Sequence, residues 1–119
     1  MKVAYIAGPY RSATPRGIVE NIRRAEAVAL KYWRRGYAVI CPHLNTALFD
    51  GAADDTCWLE GDLEILARCD TIVMMKGWEK SQGASEELQH AQSLAKIVIY
   101  DGSDELDAAQ ESRLARTGD

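Results

Sequence analysis

The sequence predicts an α/β fold: an open, doubly wound parallel sheet of the flavodoxin or Rossmann-like kind, with four to five strands and helices on both faces. Two observations carry this. Four short apolar runs, at residues 3–7, 37–41, 71–75 and 97–100, are rich in Val, Ile and Tyr and hardly alternate, as strands buried on both faces do. Between them lie segments with helical spacing, and strand-helix alternation repeated in 119 residues builds one such sheet.

Each element has its own signal. After the first run comes Gly8-Pro9-Tyr10-Arg11-Ser12, and then Ile18, Ile22, Ala25, Ala29 and Trp33 recur at helical spacing, with Gly36 placed as a C-terminal cap. The second run leads into a loop over 42–54 and a helix over about 55–69. Leu59, Leu63 and Leu66 mark that helix's buried face, and Trp58, Ile65 and Cys69 widen it. Asp70 opens the third run. A loop from Lys76 to Gly83 then enters a helix ending near Ala95, with Ala84, Leu88, Ala91 and Ala95 as its apolar stripe. Residues 1–101 are expected to form the single domain, and 102–119 a polar tail or a short helix over 105–116.

Composition narrows the function. With 47% hydrophobic and 27% charged residues, the chain has the balance of a globular protein with a real core. Fourteen Lys and Arg against eighteen Asp and Glu give a net charge of -4, which offers no general attraction to nucleic acid polymers or an anionic membrane. Cys41, Cys57 and Cys69 are odd in number and lack CxxC spacing, as reduced cytosolic thiols do rather than a disulfide framework or zinc site. The opening MKVAYIAGPYR has too short an apolar run for a signal peptide, and no window approaches a membrane span. A cytoplasmic protein is expected. With two histidines, His43 and His90, and no metal-ligand cluster, no metal or other cofactor is expected. The glycines fit neither GxGxxG nor a Walker A loop.

In sheets of this kind ligands bind beyond the carboxyl ends of the strands, where the winding reverses, here between the first and third strands. Helical direction then separates the two glutamates of SQGASEELQH. Glu87 sits at the edge of the apolar stripe near the crevice, and Glu86 projects nearly the other way, toward water. An acidic residue early in a helix also complements the helix dipole, so Glu87 has a structural reading beside the functional one. Asp62 falls within an apolar arc about two turns into its helix, where a carboxylate is costly unless it is paired or faces a polar cleft. Two inward carboxylates beside one crevice suit acid-base or covalent chemistry at a sugar carbon.

Four stretches in order, GPYR, CPHL, WLEGDLEILARCDTIV and SQGASEELQHA, resemble the nucleoside 2-deoxyribosyltransferase superfamily over about residues 2–100. The resemblance is nearest to 2'-deoxynucleoside 5'-phosphate N-hydrolases and to small uncharacterised bacterial and phage members. It implies Glu87, in the Gly83-to-Leu88 context, as the nucleophile. Asp62 is implied as the group that assists the departing base, and Asp70 also fits that pattern but reads better as structural. Gly8, Arg11 and Ser81 match the residues that grip a 5'-phosphate, and Tyr10 a residue lining the sugar pocket. Pro9 and Gly83 belong to the same loops. Trp78 is expected to wall the base, His43 to contact the base or Asp62, and Asn45 to act similarly, though each also reads as loop packing or a structural polar group. The implied partner is a small nucleotide or nucleoside, with a homo-oligomer, a dimer by default, as the assembly. In the family's well-known members a neighbouring subunit's C-terminal segment completes the site; Ser103 or Ser112 would be the residues to serve that way here.

Three other functions stay open at the sequence level. They are deoxyribosyl transfer between nucleosides, a phosphoribohydrolase acting on ribonucleotides, and a non-catalytic nucleotide-sensing module.

Overall fold

A computed structural model describes residues 1–103. Residues 104–119, which hold the expected last helix, Ser112 and most of the expected tail, lie outside the described residues. The elements run β1 (Val3–Ala7), α1 (Pro15–Arg34), β2 (Ala38–Ile40), α2 (Pro42–Asn45), α3 (Asp55–Ala67), β3 (Thr71–Met74), α4 (Gln82–Ser93) and β4 (Ile97–Tyr100), with a 3-10 turn at Trp78–Lys80. The described strands form one sheet in the order β2-β1-β3-β4, and every pairing is parallel. The chain winds outward from β1 to β2 and then in the other direction to β3 and β4. The reversal therefore falls between β1 and β3, as the sequence predicts.

Period two along β1 divides the core. Ala4 and Ile6 face α1, packing with Ala25, Ala29, Tyr32 and Val73, while Tyr5 and Ala7 face α3 and α4, packing with Leu66, Ile72, Met74, Ala84 and Leu88. Helices thus cover both faces. Pro15 occupies the first turn of α1, Thr14 caps it by accepting from Gly17 N–H at 3.0 Å, and Gly36 at φ +94° lets the chain leave. The buried stripe of α1 differs from expectation at its end. Ile22, Ala25, Ala29 and Tyr32 are buried, and Trp33, one residue or about 100° further round, is 53% exposed. The segment after β2 begins with one helical turn, α2, which Pro42 starts from its first position.

Two close approaches fix the mouth of the crevice. A Cβ on Gly8 would come within 2.5 Å of Met75 Sδ and 2.8 Å of Met75 Cβ, so the loop after β1 lies against the end of β3 only because residue 8 has no side chain. Asp70 accepts from Val3 N–H at 2.7 Å, tying the entry of β3 to that of β1. This is the structural role its sequence position suggests.

Candidate active site

A cleft of about 570 Å³ opens at the carboxyl ends of β1 and β3. Its floor and walls come from Ile6 and the Gly8–Arg11 loop, from α2 and the connection to α3, from the inner face of α3, and from the start of α4. The fold brings most of the predicted residues here. Gly8, Pro9, Tyr10, Arg11, His43, Asp62, Ser81, Gly83 and Glu87 all line it. Trp78 and Asn45 do not. Trp78 packs against Tyr100, ring centroids 6.1 Å apart, and lines a separate small pocket at the ends of β3 and β4, and Asn45 is exposed at the end of α2. In both cases the turn of the short helix that holds the residue carries its side chain away from the cleft.

Glu87 is half-buried in the second turn of α4, beyond the free N–H groups of the first. Dipole complementation, confined to the first turn, therefore does not account for it. Its carboxylate accepts a hydrogen bond from the hydroxyl of Tyr5, a side chain wholly buried in the middle of β1. Burial pushes the Glu87 carboxyl up to about 8, with the charges of Asp62 and Glu86 adding to the rise and the Tyr5 hydrogen bond opposing it. Asp62, half-buried two turns into α3, is raised to about 6 by burial alone. Tyr5 itself is pushed strongly upward, first by burial and then by Glu87 and Asp62, so it stays a donor. Two carboxyls whose protons are held near neutrality, plus a fixed phenol, form the polar centre of an otherwise apolar floor.

Glu86 differs from expectation. It is half-buried and also lines the cleft, its Oε1 accepting from Gln82 Nε2 at 3.2 Å one turn earlier. The first turn of α4 turns that side chain along the rim rather than out to water.

The other residues are held by local bonds. Ser81 is the N-cap of α4: its Oγ accepts from Ala84 N–H at 3.1 Å, which leaves the hydroxyl proton for a ligand. Gly83 leaves the space beside that cap open, since a Cβ there would meet nothing closer than Ser81 Oγ at 4.0 Å. His43 is buried on α2, and its Nε2 donates to Pro9 O at 2.9 Å, a carbonyl being able only to accept. Burial lowers its pKa, so the imidazole is neutral, and its Nδ1 has no partner among the described residues. Tyr10 donates to Asp50 Oδ1 at 2.6 Å, accepts from Leu48 N–H at 3.2 Å and meets the His43 ring edge-on at 5.8 Å. Arg11 makes ion pairs with Asp50 at 3.5 Å and Asp55 at 2.9 Å.

Tyr5 is the residue that the sequence reading passes over. A signal for it exists: a tyrosine in the middle of a strand buried on both faces must give its hydroxyl a partner, and period two aims it at the α4 face. Phe49 and Trp58, ring centroids 5.8 Å apart at the outer wall, supply an aromatic surface, and Trp58 Nε1 is buried without a partner among the described residues. The described residues hold no group of three or more His, Cys, Asp or Glu placed to bind a metal ion. Nor does any described helix have the length and apolarity to cross a membrane.

Residues 1–100 match the family model described as a domain of unknown function, DUF4406. The chain belongs to this family. No curated protein matches the DUF4406 chain in sequence. Among solved structures it shares the fold of a 2-deoxyribosyltransferase from the psychrotolerant bacterium Bacillus psychrosaccharolyticus, with a TM-score of 0.61 and 20% identity over 82% of this chain and 70% of that one. That protein is described as a biocatalyst for nucleoside synthesis. At this identity the likeness establishes the architecture, so the chemistry of the DUF4406 cleft is argued from its own side chains.

Proposed function

We propose that this protein breaks the N-glycosidic bond of 2'-deoxynucleoside 5'-monophosphates through a covalent intermediate on Glu87. The observation that carries the proposal is the floor of the cleft. The carboxyl of Glu87, held by a buried tyrosine, faces the same space as that of Asp62, and with burial raising them to about 8 and about 6 the pair carries one proton between those values. The resemblance to deoxyribosyltransferases and nucleotide N-hydrolases, with the shared fold, supports the same chemistry.

In the proposed reaction Glu87 attacks C1' of the deoxyribose while the C1'–N bond breaks and its electron pair leaves with the base. The proton held by the carboxyl pair passes through Asp62 to that base. Water then attacks C1', gives its proton to Asp62 and frees Glu87, which restores the pair. Tyr5 orients the carboxylate and offsets its charge between turnovers. A second nucleobase in place of water would make the same first half a transfer. Each step uses the chain's own groups and needs no cofactor. At the 5' end, the proton of Ser81 and the N–H groups opening α4 favour an anion, and Arg11 supplies the matching charge. A cytoplasmic homodimer is part of the proposal, and sedimentation of the full chain tests the assembly.

One observation favours a second substrate reading, the free nucleoside: both terminal nitrogens of Arg11 already rest on carboxylates. The deciding experiment screens nucleosides and 5'-monophosphates, ribo and deoxy, for free-base release, with Glu87→Ala as control and mass spectrometry for a sugar adduct on the protein. Release from nucleosides alone would refute the monophosphate assignment. Turnover of ribonucleotides in preference would indicate a phosphoribohydrolase, and ligand binding without release or adduct would leave a sensing module.

A further inference from the structure

We propose that Asp50 and Asp55 form a latch on Arg11, so that a ligand's phosphate and the two carboxylates compete for one guanidinium and the latch sets how strongly the cleft takes phosphate. The proposal rests on the assignment of Arg11 to the 5'-phosphate made above.

The geometry is that of a clasp across the mouth of the cleft. On one side is the loop after β1. On the other are Asp50, in the connection between α2 and α3, and Asp55, the first residue of α3. Arg11 Nη1 lies 3.5 Å from Asp50 Oδ2, and Arg11 Nη2 lies 2.9 Å from Asp55 Oδ2. The other oxygen of Asp50 accepts from Tyr10 at 2.6 Å, and Tyr10 Oη accepts from Leu48 N–H at 3.2 Å. Four contacts thus fasten the two sides, two of them through the group that would hold phosphate.

A guanidinium offers a planar fork of donors that fits phosphate two at a time, and here both outer arms of the fork are occupied. The pairs are exposed, with 64% of the Arg11 side chain and 74% of the Asp55 side chain open to solvent, and exposed pairs are weak. A phosphate dianion taking both arms therefore displaces them. Around this point the cleft is lined by the cations Arg11 and Lys80 against the carboxylates of Asp50, Asp55 and Glu86, with Asp62 and Glu87 on the floor sharing a proton near neutrality. The displaced carboxylates remain close and repel the incoming dianion, whereas a neutral nucleoside meets neither the competition nor the repulsion. Phosphate binding is in this way coupled to unfastening of the 48–55 segment, and Asp55, whose carboxylate pairs with Arg11 and with no other cation among the described residues, tunes the preference for a charged over a neutral substrate.

The test is calorimetric titration of the full chain with a 2'-deoxynucleoside 5'-monophosphate, the matching nucleoside and inorganic phosphate. Four variants are compared with the wild type: Asp55→Asn, Asp50→Asn with Asp55→Asn, Arg11→Ala, and Asp55→Asn in the Arg11→Ala background. Asp55→Asn is expected to tighten monophosphate and phosphate about threefold, and the double Asn variant about tenfold. Nucleoside affinity should move less than about twofold, and without Arg11 the gain for monophosphate should shrink to the roughly twofold or less that relieved repulsion alone supplies. Equal tightening for nucleoside and monophosphate, or a gain that survives Arg11→Ala undiminished, would overturn the latch. Monophosphate binding to the wild type with no change in the Asn variants would remove the latch and leave the phosphate assignment standing. Nucleoside binding with no monophosphate or phosphate binding to any of the proteins would remove both.

Discussion

The floor and the rim of the cleft are both rich in acidic groups, and they hold them by opposite means. On the floor, Glu87 and Asp62 are half-buried, and among the described residues the side chain that hydrogen-bonds Glu87 is the neutral hydroxyl of Tyr5. Burial there raises the cost of charge, so the floor retains protons that carboxyls in water release. On the rim, Asp50 and Asp55 face a cation in solvent, and charge is balanced by charge. Chemistry that needs a proton near neutrality belongs to the first arrangement, and selection by charge belongs to the second. Ionic strength should act strongly on the rim and weakly on the floor.

The sharpest way to break this contrast is at the two adjacent glutamates. Glu87→Gln keeps the shape and can still accept from Tyr5, but it removes the attacking carboxylate, so base release should fall roughly 10⁴-fold or more. Glu86→Gln, on the rim one residue earlier, should cost no more than about tenfold, through substrate placement. Because Glu86 also lines the cleft, the pair is a stringent comparison: similar losses in both variants would mean that the floor has no privileged nucleophile.

Next in size is the behaviour with pH. The reaction needs one proton on the Glu87–Asp62 pair, so kcat/KM should be bell-shaped, rising near pH 6 and falling near pH 8, with the two midpoints belonging to the pair rather than to either residue. Tyr5→Phe removes the one contact that lowers Glu87, and should move the upper midpoint upward while reducing the maximum about 10- to 100-fold. Stability carries the same signature. Unfolded, Glu87 ionises near its ordinary 4.5, and folded it does so near 8, so its contribution is full below about 4.5 and is lost as pH rises through about 8. The unfolding free energy from urea titration should therefore decline between about pH 5 and about pH 8, by an amount on the order of several kcal/mol, and Glu87→Gln should flatten most of that slope. An unchanged slope in the variant would show that the floor does not hold the proton.

What could be read in advance follows the same division. The parallel sheet, its reversal between β1 and β3, and the direction of Glu87 and Asp62 are consequences of periodicity, because a buried stripe at 3.6 or 2 residues fixes which side chains face the core. Tyr5 was overlooked because in an unbroken apolar strand its hydroxyl looks like one more core atom, and its meaning depends on which helix packs opposite. Trp33 was misplaced by one residue of helical phase near a helix end, where Tyr32 takes the core position. The rim was the least legible. Arg11 stands 39 positions before Asp50, and Asp55 follows five later at the very start of α3, so no periodicity links them and only the tertiary structure brings them together. Trp78 and Asn45 lie off the cleft for a related reason, since proximity to it in sequence says nothing of side-chain direction in a single helical turn.

The smallest effect is also the most economical check on whether floor and rim are separate. Tyr10→Phe removes the same atom as Tyr5→Phe, a phenolic oxygen bonded to a carboxylate, but on the rim. The loss of the Asp50 and Leu48 bonds at a partly exposed site should cost about 1 kcal/mol or less, which lowers Tm by a few degrees, roughly 2 to 6 °C, in a domain of this size. Among the described residues the Tyr10 hydroxyl bonds Asp50 and Leu48 and neither Glu87 nor Asp62, so the midpoints near 6 and 8 should stay where they are and turnover should fall only about two- to fivefold. If Tyr10→Phe instead moves the upper midpoint as Tyr5→Phe does, then rim and floor act as one electrostatic unit. A ligand's phosphate at Arg11 would then reset the proton on Glu87 directly, with no need for the latch to open first.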